Sequence, residues 1–163
     1  MKLSTLVISL ASLAATSGTV LAQTCASPLP ITSQGGAHGV VSGDTCTATN
    51  SLPAYGSTGS PQNEIIYSFV AQGANATISI AQTGGFSGSS ASVFLMPSPC
   101  SSSTDAISLG APGSPMPVSG LTNGATYYVI VTADPGGPNN GCGQFTASVT
   151  GTLPVELKKF SVD

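Results

Sequence analysis

Asn63-Glu-Ile-Ile-Tyr-Ser-Phe-Val-Ala71 is a run of nine residues in which aromatic and β-branched side chains fall on alternating positions of both faces. At period two, Ile65, Tyr67 and Phe69 share one face and Ile66, Ser68 and Val70 the other. That pattern suits a strand with one face in a sandwich core and the other partly covered, and predicts the central strand of the fold. Tyr127-Tyr-Val-Ile-Val-Thr132 has the same character and is expected to anchor the same core.

Around these two runs lie shorter ones, separated by clusters of Gly, Pro, Asn and Ser. Residues 24–31, broken by Pro28 and Pro30, read as an edge strand, and 38–42 as a weak strand ended by Gly43-Asp44. Residues 48–62 read as an irregular loop. Residues 76–81 alternate Ile78 and Ile80 with Thr77 and Ser79, and the turn at 72–75 predicts a hairpin with the preceding strand. Residues 92–96 and 116–118 are further strands, with a polar crossover between them, and Phe86 reads as a plug for one end of the sandwich. Asn123-Gly124 signals a tight reversal into the second core strand. The last strand, 142–151, points Phe145, Ala147 and Val149 inward and pairs as a hairpin across the 134–141 loop. The expected fold is all-β: a single jelly-roll-like antiparallel β-sandwich of about seven to nine strands.

Residues 1–22 stand apart. Lys2, the apolar run 3–15 and Val20-Leu21-Ala22 have the layout of a cleaved secretory signal peptide, with Ser12, Thr16, Ser17 and Thr19 interrupting the apolar run before it reaches the length of a span. The sandwich is then expected over 23–152 and a tail over 153–163. Such a chain is secreted, held at a bacterial cell surface, or periplasmic, and is not inserted in a membrane after cleavage.

The mature chain keeps Lys158 and Lys159 against Asp44, Glu64, Asp105, Asp134, Glu156 and Asp163; two positive against six negative leaves −4. Without arginine or a cationic patch it has no means of gripping nucleic acid or anionic lipid. Cys25, Cys46, Cys100 and Cys142 all fall in the mature part, and an even number in an exported chain reads as two disulfides. Four cysteines permit three pairings that spacing does not separate; Cys25 with Cys46 and Cys100 with Cys142 is the expectation, each bond contributing about 3 kcal/mol. A zinc site lacks a Cys-x-x-Cys pair and has one histidine to draw on.

His38 with Asp44 and a serine would be the ingredients of a nucleophilic triad, but no Gly-x-Ser-x-Gly elbow presents the serine. Nor does any spacing bring two of Asp44, Glu64, Asp105 and Asp134 together for glycoside cleavage. The chain therefore reads as non-catalytic and free of cofactors. Two binding features remain. Tyr55, on the 48–62 loop, either folds back to cover the sheet edge or stands exposed, and in the second case is the candidate for stacking on a sugar. Asp134, Asn139 and Asn140 offer oxygens for calcium in the 134–141 loop.

The order of elements resembles a known family. The 63–71 strand, Phe94-Leu95 followed by Cys100, Leu121-Thr-Asn-Gly-Ala-Thr-Tyr-Tyr-Val-Ile-Val131 and Gly143-Gln-Phe-Thr-Ala-Ser-Val149 look like the bacterial pre-peptidase C-terminal domain, with Gly124 to Tyr128 the most specific part. The resemblance implies a jelly-roll-like sandwich of the kind attached to secreted proteases and other exported proteins, some of which bind calcium or insoluble polymers. Leu153-Pro-Val-Glu-Leu-Lys-Lys-Phe-Ser-Val-Asp163 resembles a segment near the C-terminus of exported bacterial surface proteins. Three functions follow as expectations: a binding module for polysaccharide or cell-surface polymer, a structural subunit that self-associates through sheet edges, and a calcium-binding accessory domain.

Overall fold

The computed structural model describes residues 24–35, 37–59, 62–134 and 141–153. The strands are β1 (Leu29–Pro30), β2 (His38–Asp44), β3 (Ala54–Tyr55), β4 (Thr58–Gly59), β5 (Glu64–Val70), β6 (Asn75–Gly85), β7 (Ala91–Pro97), β8 (Ser108–Gly110), β9 (Met116–Ser119), β10 (Thr126–Ala133) and β11 (Gly143–Thr150). They form a five-stranded sheet in the order β1-β5-β10-β7-β8, a four-stranded sheet in the order β2-β11-β6-β9, and the small β3-β4 hairpin. Pairing is antiparallel except for β1, which runs parallel to β5 at the sheet edge. The all-β sandwich expected from the sequence is the fold, with nine strands in its two main sheets.

Alternation builds the core. Ile65, Tyr67 and Phe69 of β5, Tyr127, Val129 and Val131 of β10, and Val93 and Leu95 of β7 meet Ile78 and Ile80 of β6 and Phe145, Ala147 and Val149 of β11 in one buried cluster. Phe86 belongs to it, as a plug should, holding a left-handed φ of 55° with its N–H on the Cys142 carbonyl. The Tyr67 hydroxyl crosses the core to donate to the Ser42 carbonyl at 3.0 Å, and this bond locks the β2 edge to the opposite sheet. At Gly43 a Cβ would come within 2.7 Å of Ile65 and 2.8 Å of the Tyr67 hydroxyl, so only glycine lets β2 approach so closely.

Three expectations need correction. Residues 64–70 are not the central strand: β10 holds that place, and β5 lies between it and the two-residue edge β1. The turns at 72–75 and 134–141 do not close hairpins, because β5 and β10 belong to the five-stranded sheet while β6 and β11 belong to the other. Both connections cross from sheet to sheet. The disulfides join Cys25 to Cys100 and Cys46 to Cys142, spanning 75 and 96 residues. The expected pairing fails because the sandwich brings the N-terminal segment beside the end of β7, and the turn after β2 beside the start of β11. Thr45 repeats the second link with hydrogen bonds: its Oγ1 accepts from the Gly143 N–H (2.9 Å) and donates to the Gly143 carbonyl (3.3 Å).

The Gly124 to Tyr128 element owes its distinctive sequence to a corner. Gly124 sits at φ 82°, Leu121 is buried, and the Tyr127 hydroxyl accepts from the Thr122 N–H at 2.9 Å. This is a tyrosine corner, the device by which sandwich strands swing from one sheet to the other.

Candidate binding surfaces

The 48–62 segment is a cover for the five-stranded sheet. Leu52 and Tyr55 pack on Ile66, Phe94, Met96 and Ile130, the outward side chains of β5, β7 and β10, in a second buried cluster flanked by Cys25 and Cys100. Tyr55 is 1 % exposed, its ring centroid 4.4 Å from that of Phe94. Of the two readings of Tyr55, the ring folded over the sheet is the one found, and stacking on a sugar is corrected: the ring is spent on Phe94. The signal was in the sequence, since Ile65-Ile66, 93–96 and 129–131 are apolar on both faces, and a strand apolar on both faces must be covered on both.

Glu64 pins that cover. It is 1 % exposed, and its Oε1 accepts from the Ser51 N–H, the Ser51 hydroxyl (2.7 Å) and the Leu52 N–H (2.7 Å). Its Oε2 has no hydrogen-bond partner among the described residues. Burial raises the carboxyl above its ordinary range, against the opposing pull of the three donors.

The remaining candidates for chemistry lie apart. His38 and Asp44 occupy opposite ends of β2, about 20 Å from each other at ~3.3 Å per residue. Asp44 caps the short 3-10 turn at Thr45–Thr47, its Oδ1 accepting from the Cys46 N–H at 2.9 Å. Asp105 accepts from the Ser57 N–H at 3.0 Å across the cover. Asp134, exposed at the end of β10, donates its own N–H to the Ser90 carbonyl; Asn139 and Asn140, its expected calcium partners, lie outside the described residues. Among the described residues no group of three His, Cys, Asp or Glu side chains is placed to hold a metal.

Among the described residues three surfaces stand out. The first is the outward face of the four-stranded sheet, where Ser42, Thr146, Ser148, Thr150, Thr77 and Ser79 stand on adjacent strands in the register Ser42 to Thr146, Ser148 to Ser79 and Thr150 to Thr77. At one end it dips into an open depression of about 340 Å³ lined by Ser42, Gly43, Asp44, Thr83, Gln144, Phe145 and Thr146. The second is an apolar groove of about 470 Å³ beside β1, lined by Pro30, Ile31, Ser68, Phe69, Val70 and Leu153 among others. The third is the β8 edge, where Ile107 and Leu109 are 48 % and 60 % exposed.

Fold and surfaces together define a disulfide-braced β-sandwich whose described outer faces carry few charges. Among solved structures it is similar to PliG, a periplasmic lysozyme inhibitor of g-type lysozyme from Aeromonas hydrophila, at 16 % identity over 75 % of this chain and 93 % of that one, TM-score 0.50. It is also similar to the Yersinia pseudotuberculosis-derived mitogen, at 11 % identity over 77 % and 92 %, TM-score 0.45. Likeness at these identities is likeness of fold. No family model and no curated protein matches the chain.

Proposed function

We propose that this protein is an exported, non-catalytic binding module for a polysaccharide or another uncharged cell-surface polymer. One observation carries the reading: the described residues include no lysine or arginine, and their few acidic groups are dispersed, buried or used as caps. A surface so composed recognises by neutral hydrogen bonding. It lacks the cations for polyanions and the juxtaposed acid and base for turnover. Two disulfides fit an oxidising compartment, outside the cell or in the periplasm. The reading keeps the resemblance to pre-peptidase C-terminal domains, and the fold itself serves in PliG for an inhibitor rather than an enzyme. The test is co-sedimentation of the oxidised exported protein with insoluble polysaccharides and cell walls, in calcium and in chelator. Pelleting with an uncharged polymer is expected; a protein left in the supernatant by every polymer would sink the reading.

A second reading, self-association through sheet edges, draws on β8, where Ile107 and Leu109 are exposed along an edge strand that no cationic side chain among the described residues protects. It expects size-exclusion elution to move to larger species with concentration and Leu109→Lys to abolish the shift. Monomeric elution of the unaltered protein at every concentration would dismiss it.

A further inference from the structure

Resting on the polymer-binding reading, we infer that the depression between Asp44 and Gln144, with the hydroxyl ladder of β11 that leads from it, is the saccharide site, and that it selects neutral glycans. The site is a product of register. Between Gln144 and Phe145 the β11–β6 ladder slips, Gln144 facing Gly84 and Phe145 facing Gln82. The unpaired Thr83 joins the wall of the depression, as bulged residues do when they re-aim a side chain beside a binding site.

The donor and acceptor set matches a sugar. Asp44, which lines the depression, has its Oδ1 spent on the 3-10 turn, which fixes the carboxylate, while Oδ2 takes a long 3.4 Å contact from Gln144 Nε2 and no other hydrogen bond among the described residues. A carboxylate oxygen held in this way accepts strongly from a sugar hydroxyl, and the neighbouring amide supplies both a donor and an acceptor. Ser42 and Thr146 hydroxyls, 3.3 Å apart, continue the surface. Beyond them the hydroxyls of Ser148 and Thr150 recur along β11 at about 6.8 Å, with neighbouring strands about 4.8 Å away. The Thr150 hydroxyl donates to the Thr77 carbonyl at 3.4 Å and keeps its acceptor side, and Ser42 and Thr146 share one hydrogen bond, so the row still offers acceptors and donors to a polymer of repeating neutral hydroxyls at several points in one register.

Charge decides the ligand class. Among the described residues the only formal charge lining the depression is the Asp44 carboxylate, and they include no lysine or arginine to offset it. A uronate or sulfate brought there meets repulsion without relief; an uncharged sugar does not. With no Phe, Tyr or Trp at the described outward positions of this face, where His38 opposite Thr150 is the one ring, contact at any one sugar is weak, and retention depends on many sites along an insoluble surface.

The experiment compares the exported protein with Gln144→Ala, Ser148→Lys and a control, Ser57→Lys on the cover of the other sheet, each shown to fold by its thermal midpoint. Pelleting is measured with cellulose, chitin and insoluble β-1,3-glucan as neutral polymers and with pectate as an anionic one, and amide shifts are recorded with soluble oligosaccharides of each. Expected is binding to at least one neutral polymer, weakened about tenfold or more by Gln144→Ala and by Ser148→Lys and untouched by Ser57→Lys, with shifts centred on 42–44 and 144–148. If the protein pellets with a neutral polymer and both face variants pellet as well as it does, the site is wrong while the function stands. If only pectate retains it, the neutral class is wrong. If nothing retains it, both readings fall.

Discussion

At the scale of single residues, Glu64 carries the most consequence. Its one bonded oxygen takes three donors from Ser51 and Leu52, so Glu64→Ala strands buried N–H groups and is expected to cost about 3 kcal/mol, read as a fall in the denaturation midpoint. Its titration has a definite sign. Burial holds the folded-state pKa above the ordinary 4.5, so the folded protein keeps the proton longer than the unfolded chain. Whatever this proton contributes is fully present below pH 4.5 and is lost as pH rises through the folded value. Thermal midpoints from pH 4 to pH 8 should therefore show a downward component in the unaltered protein that Glu64→Gln removes, because the amide keeps the acceptor and cannot ionise. An identical pH slope in the two proteins would contradict this account of the carboxyl.

Strand by strand, the sequence discloses faces better than partners. The alternation in 63–71, 76–81, 127–132 and 142–151 placed Ile65, Ile78, Val129 and Phe145 inside, because period two ties each side chain to one face of a sheet. Nothing in that pattern says which sheet a strand joins, so two turns with sound hairpin chemistry lead instead across the sandwich. Tyr55 stayed open between lid and sugar platform for a related reason: exposure of a loop aromatic depends on whether a neighbouring sheet needs a lid, and the need is written in β5, β7 and β10 rather than in the loop. The saccharide site was hidden more deeply, since Asp44 and Gln144 meet only through the pairing of β2 with β11, and Thr83 joins them only through the slipped register of β6 on β11. Packing at this scale gives its own prediction. Gly43→Ala would set a methyl against Ile65, the Tyr67 hydroxyl and Phe145, and the strand must move out to admit it. A loss of about 1–3 kcal/mol is expected, as for other overpacked cores. Faster amide exchange along β2 should accompany it, with β10 unaffected, whereas unchanged stability would mean that the edge strand yields without cost.

For the molecule as a whole, the two disulfides interleave, each closing a loop of 75 or 96 residues, and both act on the unfolded chain. Loops of this length correspond to about 4–5 kcal/mol each in the chain-entropy account, more than a pairing of near neighbours such as Cys25 with Cys46 would give. Their effects on the native state differ. Replacing Cys46 and Cys142 by serine leaves the Thr45 hydrogen bonds to Gly143, so the expected outcome is a lower melting temperature with an unchanged pattern of amide protection. Replacing Cys25 and Cys100 removes the strap that packs against Phe94, Met96 and Ile130, so exchange should quicken at β7 and β10 as well. Because that cover lies on the five-stranded sheet and the proposed saccharide face on the four-stranded one, the Cys25 and Cys100 variant should still pellet with the neutral polymer at temperatures where it remains folded. Loss of pelleting in that variant, with β2, β6 and β11 still protected, would mean that the binding surface lies on the covered sheet and not on the hydroxyl face.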